Sequence, residues 1–188
     1  MELQIEKKRD YPIDIGVYNK SLLSRKIYIP FKKVNKNIKE LLEKNIKKEI
    51  EGKCTIEGFV KPNSTKVLRY SSGLLFEDQI NFDVVFECLI CCPVEGMNIK
   101  CIVKNKTQAG IRALIDDSIS PIVIYVTKDH HYDNNYYNTL NEEDAITITV
   151  IGQRYELNDN QVSVIGKIVE PNNNDKYKKN QKSRLILK

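Results

Sequence analysis

Two histidines stand side by side in Asp129-His130-His131-Tyr132-Asp133, and adjacent imidazoles flanked by carboxylates could hold a divalent metal or serve a small hydrolase. Ligands carried on one polar loop lack the preorganisation a metal centre needs, so the pair reads as solvent-exposed. Cys88-x-x-Cys91 has the spacing that opens a zinc knuckle, but no second pair or nearby histidine completes four ligands. The five cysteines, at 54, 88, 91, 92 and 101, therefore read as reduced thiols used as small core hydrophobes. Asp116-Asp117 and Glu142-Glu143-Asp144 fall where turns and strand starts are expected, with no second group to share acid-base work. No Gly-rich phosphate loop, nucleophile elbow, kinase signature or His-Glu-x-x-His helix is present. The residues point to no catalytic centre, no metal and no cofactor.

The elements that would carry a binding site are easier to read. From Asn35 to Glu49 the apolar residues Ile38, Leu41, Leu42 and Ile46 recur at helical spacing, continued by Ile50, and Gly52 stands where a helix would stop. The opposite face carries Lys36, Lys39, Glu40, Glu43, Lys44 and Lys47 and reads as an ordinary solvated face. After Gly52 the period becomes two. Lys53 to Val60 reads as a strand carrying Cys54 and Ile56, broken by Gly58, Lys66 to Tyr70 as a second, and Asn81 to Cys91 as a third with Phe82, Val84, Phe86, Cys88 and Ile90 on one face. One helix on a small antiparallel sheet makes an α+β unit. The apolar Leu22, Leu23, Ile27, Ile29 and Phe31 before the helix show no clear period, and an interface would bury some of them.

Pro93 to Gly96 punctuates the chain, and five candidate strands follow: Met97 to Lys106, Ala109 to Ile115, Ile122 to Thr127, Ala145 to Tyr155 and Gln161 to Val169. Asp116-Asp117-Ser118 and Asn158-Asp159-Asn160 supply turns. Five short antiparallel strands with one long polar loop, Lys128 to Asp144, match the strand plan of an OB-fold barrel. The expected organisation is an α+β domain over 1–92, an OB-fold domain over 93–170 and a basic, flexible tail over 171–188, in which Leu185-Ile186-Leu187 could add an edge strand.

The 188 residues hold 30 Lys+Arg against 25 Asp+Glu, and 41% of them are hydrophobic, which describes a soluble globular chain. No apolar run approaches the roughly 20 residues of a membrane span, and Met1 to Asp10 lacks the apolar stretch of a secretory signal, so export is not expected. The charge is uneven: residues 1–52 hold 13 Lys+Arg and 8 Asp+Glu, residues 53–169 hold 11 and 15, and residues 170–188 hold 6 and 2. A partner with negative charge is expected at the ends.

An OB barrel presents its second and third strands to single-stranded nucleic acid, with cations for phosphates and flat side chains for bases. The candidates are Lys100, Lys104 and Lys106 on the first strand, Arg112 on the second, Tyr125 on the third, and Arg154 with Tyr155 on the fourth. Residues 92–169 hold 7 Lys+Arg against 10 Asp+Glu, so RNA affinity should be modest and salt-sensitive.

The order of features adds to this. The helix, Glu51-Gly52-Lys53-Cys54, Gly58-Phe59-Val60, the Gly73 turn, the Phe82-to-Cys88 strand, Pro93-x-x-Gly96 and a barrel opened by Ala109-Gly110-Ile111 together resemble the larger stalk subunit of archaeal and eukaryotic multisubunit RNA polymerases, over roughly residues 20–170. The resemblance implies a tip domain docking on the polymerase core through Gly58, Phe59, Val60 and Lys61, and an interdomain joint at Pro93 and Gly96. It also implies an S1-type OB domain facing RNA, a smaller helical stalk partner and no activity of the subunit's own. The sequence departs from that pattern at Ile111, where an S1 domain that binds RNA strongly usually places an aromatic. The AT-rich composition and the unassigned termini suggest a divergent lineage, such as a protist or a large DNA virus. The expected location is intracellular, at a nuclear or cytoplasmic transcription site, with virion packaging for a viral protein.

The other readings are a free-standing S1-type RNA-binding protein of translation or RNA decay, and a small hydrolase built on His130 and His131. Two small cores and unassigned apolar residues imply that the isolated chain is only marginally soluble.

Overall fold

The computed structural model describes residues 16–34, 36–115 and 120–170. The first 15 residues, Asn35, the Asp116-Asp117-Ser118 turn, and the 171–188 tail with Leu185-Ile186-Leu187 lie outside the described residues. The chain is mostly β, with one long helix.

The segment ahead of the helix, which shows no clear period in sequence, is a 13-residue strand, β1 (Tyr18–Pro30). Its second half does alternate, buried Ile27 and Ile29 following exposed Lys26 and Tyr28 in turn. The adjacent Leu22 and Leu23 blur the pattern in its first half, because in a strand they point to opposite faces. β1 pairs antiparallel over its whole length with β6 (Gln79–Cys91), from Tyr18 opposite Cys91 to Pro30 opposite Gln79. On β6 the expected face of Phe82, Val84, Phe86, Cys88 and Ile90 is buried. Helix α1 (Ile38–Ile50) belongs to that cluster through Leu42, Ile46 and Ile50, each side chain contributing roughly 1.5–3 kcal/mol relative to exposure.

The remaining strands of this sheet are short: β2 (Cys54–Thr55), β3 (Gly58–Val60), β4 (Lys66–Tyr70) and β5 (Leu74–Phe76). The order is β1-β6-β3-β2, with β4 and β5 also on β6. The expected strand over Lys53 to Val60, broken by Gly58, folds back on itself as the tight β2–β3 hairpin, so Ile56 sits at a turn with 76% of its surface exposed. β5 is exposed at all three positions, which is why period-two patterning misses it.

The second half closes into a barrel of β7 (Asn98–Lys106), β8 (Gly110–Leu114), β9 (Ile122–Thr127), β10 (Ala145–Arg154) and β11 (Val162–Val169), in the order β10-β11-β9-β8-β7. This closure is consistent with the OB strand plan. One expectation needs correction: β11 runs parallel to β9, Val162 opposite Ile122 through Ile165 opposite Tyr125, so the barrel is not wholly antiparallel.

The Lys128 to Asp144 connection also differs from the expected surface loop. It forms a 3₁₀ turn (Lys128–His131) and a short helix, α2 (Asn135–Thr139), and it buries His131, Tyr137 and Leu140. Asn134 caps α2 by accepting the Tyr137 N–H at 3.0 Å.

Two clusters form the core. One lies between α1 and the sheet. The other fills the barrel and takes in Cys54, Phe59 and Cys91 from the sheet, which sit opposite one another across β2, β3 and β6. Pro93 is buried between the two halves. Gly96 follows it in a turn that closes with the Met97 N–H on the Val94 carbonyl at 3.1 Å, at a left-handed φ of +82° that favours glycine. No helix among the described residues is long and apolar enough to cross a membrane.

Candidate nucleic-acid interface

On β8 the alternation turns Ile111 and Ala113 into the barrel and Arg112 out of it. Asn105 of β7 lies opposite Arg112, Arg112 opposite Tyr125 of β9, and Tyr125 opposite Ile165 of β11. These four exposed side chains make one continuous row across the outside of the barrel. Beside it is a groove of about 310 Å³ whose walls include Asn105, Thr107, Arg112, Tyr125 and Thr127. Gly110, on the groove wall, lets β8 approach β9 closely, since a Cβ there would run into the Val126 carbonyl oxygen. A guanidinium beside a half-exposed phenol offers a phosphate contact and a stacking surface one strand apart. The buried Ile111 has no part in that surface; the aromatic group comes from the neighbouring strand.

The other barrel cations are placed differently. A β-bulge between Val103 and Asn105 holds Lys104, whose Nζ pairs with Glu143 at 3.0 Å. Lys106 donates to the carbonyls of Tyr137, Asn138 and Leu140 at 3.3, 3.0 and 2.8 Å, capping the end of α2. Lys100 is exposed on β7 opposite Thr147. Arg154 pairs with Glu156. Tyr155 donates its hydroxyl to the Ile56 carbonyl at 3.1 Å, so it is committed to the contact with the β2–β3 hairpin. Of the seven candidates, Arg112 and Tyr125 are the two that stand side by side facing the groove.

Gly58, Phe59 and Val60, singled out through the resemblance as docking residues, are all buried. Gly58 has φ +127°, and a Cβ there would lie 2.6 Å from the Cys91 carbonyl oxygen. Lys61 stands 4.5 Å over the Tyr18 ring. What this hairpin exposes is its turn, Ile56-Glu57. The turn is fixed from both sides. Arg25 of β1 grips both Glu57 carboxylate oxygens at 2.6 and 2.7 Å, with Thr55 Oγ1 donating to one of them at 2.9 Å. Burial pushes the Glu57 carboxyl up, but the bonds from Arg25 and Thr55 outweigh it and hold the group below its ordinary range. On the barrel side the Cys54 N–H donates to the Asp159 carbonyl at 2.7 Å, and the Asn158 N–H to the Cys54 carbonyl at 2.9 Å.

At the far end of the sheet the β5–β6 hairpin presents Leu74, Leu75 and Phe76, each about two-thirds exposed. The Phe31 N–H donates to the Asp78 carbonyl at 2.9 Å, which fixes the end of β1 against this hairpin. A groove of about 400 Å³ lies between Pro30-Phe31 and Leu75. Adjacent exposed large apolar side chains are the mark of an interaction surface. Patterning rules for a buried strand face do not find them; the run Leu74-Leu75-Phe76 between a glycine and an acidic turn is the available signal.

His130 and His131 do not form a pair. His130 is exposed, whereas His131 is buried, with Nδ1 2.9 Å from the Thr127 carbonyl and Nε2 accepting the Ile168 N–H at 2.9 Å. Its ring stacks on Tyr137 at 5.4 Å between centroids. This corrects the expected solvent-exposed loop pair: both nitrogens of His131 are used by the fold. Cys88 and Cys91 fall on opposite faces of β6, three residues apart in a strand, and belong to different clusters. Burial raises the thiols of Cys54 and Cys88 to about 11 and of Cys91 and Cys101 to about 12. Among the described residues no three His, Cys, Asp or Glu side chains converge as a metal site would require.

No family model matches the chain. It is similar to a protein of Acanthamoeba polyphaga mimivirus named as a proposed DNA-directed RNA polymerase subunit, L376. The two are 23% identical over 185 residues, and the match covers 92% of each chain.

Proposed function

We propose that this chain is a non-catalytic stalk subunit of a DNA-dependent RNA polymerase, of the kind a large DNA virus encodes, acting at an intracellular transcription site. The observation that carries this reading is the similarity to the mimivirus protein across 92% of both chains, which spans the sheet, the helix and the barrel together. Two surfaces give the reading a physical basis. The sheet end, with Leu74, Leu75 and Phe76 bare beside Phe31, is the docking tip toward the polymerase core and a smaller helical partner, taking over the role assigned to Gly58 through Lys61. The barrel, through Arg112 and Tyr125, holds emerging single-stranded RNA weakly. The S1-type character rests on the barrel's closure order and on the position of this row.

The test is affinity capture of the full chain from its native source, followed by identification of the large subunits that come with it. Leu75→Asp with Phe76→Ser should abolish co-purification while leaving the fold intact. A chain that binds RNA yet captures no polymerase subunit favours the second reading, a free-standing RNA-binding protein, which the groove on the barrel alone would support.

A further inference from the structure

Between Phe31 and Ile50 the chain carries seven lysines against three glutamates, whereas residues 51–170 carry 11 Lys+Arg against 17 Asp+Glu. The lysine excess is therefore not spread evenly, as a composition bias alone would spread it. On the exposed face of the sheet, cations meet acids: Lys20 pairs with Glu87 at 2.8 Å, and Lys26 lies opposite Asp83 across the β1–β6 ladder. Along Phe31 to Ile50, the turn before α1 together with the helix, the balance fails, while α1 itself holds four lysines against three glutamates. Lys47 pairs with Glu43, which also accepts the Val67 N–H, while Lys32, Lys33, Lys36, Lys39, Lys44 and Lys48 are exposed and form no ion pair among the described residues.

The placement is also costly for the helix. Lys36, just ahead of the N-cap Asn37, and Lys39, in the first turn beside Glu40, stand where the helix dipole disfavours cations. A shallow groove of about 410 Å³ runs over this face, lined by Lys39, Glu40, Glu43, Lys44 and Lys47, three cations to two acids, and no aromatic side chain lines it. Single strands are held by stacking as well as charge. A duplex presents its phosphates outward and needs cations alone.

From this juxtaposition we propose that the lysine-rich surface of α1 and the turn before it binds the phosphate backbone of duplex nucleic acid, independently of base sequence. The face is separate from the Arg112–Tyr125 row, so the two sites divide the labour: duplex on the helix, single strand on the barrel. The inference does not depend on the polymerase reading.

The probe is a fluorescent duplex DNA of about two helical turns, titrated with the full chain across a salt series, with a duplex RNA of the same length in parallel. Binding should be insensitive to sequence, with log K falling linearly against log salt. Lys36→Gln, Lys39→Gln and Lys44→Gln combined keep helix-forming residues and should flatten that slope by about 2.7, or about 0.9 per cation removed. Arg112→Ala with Tyr125→Ala should leave the duplex slope unchanged and weaken binding of a single-stranded probe. Equal affinity for the RNA and DNA duplexes supports recognition of phosphate alone, and strong preference for one of them overturns it. An unchanged slope in a triple variant that melts at the wild-type temperature also overturns the proposal, as does failure to bind duplex at low salt.

Discussion

His131 Nε2 accepts the main-chain N–H of Ile168 at 2.9 Å, tying the β9–β10 connection to the last barrel strand. With Nδ1 on the Thr127 carbonyl, both bonds are satisfied by one neutral tautomer, the one protonated at Nδ1. His131→Ala removes the acceptor from a buried N–H, ends the stack on Tyr137 and leaves a cavity. It should cost about 2–4 kcal/mol in chemical denaturation. A loss below about 1 kcal/mol would contradict this account, and His130→Ala is the control expected to be nearly neutral, within about 0.5 kcal/mol.

Gly58 allows no side chain. Its φ of +127° and the proximity of the Cys91 carbonyl mean that Gly58→Ala must distort the β2–β3 hairpin. The expected loss is about 2–4 kcal/mol, read as a lowered melting temperature; wild-type stability in this variant would show that the hairpin is not held as described.

The Arg25–Glu57 clamp is partly exposed, so Arg25→Ala should cost only about 0.5–1.5 kcal/mol. Because the Glu57 carboxyl is held below its ordinary 4.5, the stabilisation is present above that pH and is lost as pH falls through the lowered value. Wild type and Arg25→Ala should therefore converge in stability on acidification. A difference that persists at pH 2 would point to packing by the arginine stem instead.

The raised thiols predict chemical behaviour with a sign. Cys54, Cys88, Cys91 and Cys101 stay protonated through pH 9 in the folded chain, so a thiol-directed alkylating agent should reach the partly exposed Cys92 first and the other four only on unfolding. Burial of the neutral thiols contributes stability below their ordinary value of 9.0. That contribution is lost as pH rises from 9 toward 11 to 12. Peptide mapping after labelling at pH 8 checks the order.

Tyr125→Ala should weaken single-stranded RNA binding by about 1–3 kcal/mol, while Tyr125→Phe keeps the ring and most of the affinity. Equal losses in the two variants would assign the hydroxyl, and not stacking, to the contact.

The barrel strands were legible because one face of each is buried: Ile99, Cys101 and Val103 on β7, or Val162, Val164 and Ile168 on β11, leave a period of two in the sequence. β1 was not legible, because Leu22 and Leu23 occupy opposite faces at its weakly buried end. The burial of His131 is decided by contacts 37 residues away, on Ile168, and no local pattern reports it. α2 did leave a trace, Asn134 as a cap and Tyr137 three residues before Leu140, but it is short enough to pass for loop. In the candidate interface Arg112 and Tyr125 could be named from strand alternation. That they stand opposite each other depends on register, which the sequence leaves implicit.

Phe59 is drawn on the sheet yet housed in the barrel. During synthesis it leaves the ribosome about a hundred residues before β11, the strand that completes the barrel whose cluster it joins. At about 5–20 residues per second, a fully apolar ring waits on the order of 5–20 seconds for its cover. The first half of this protein is thus made before the barrel cluster that Phe59 joins can be completed.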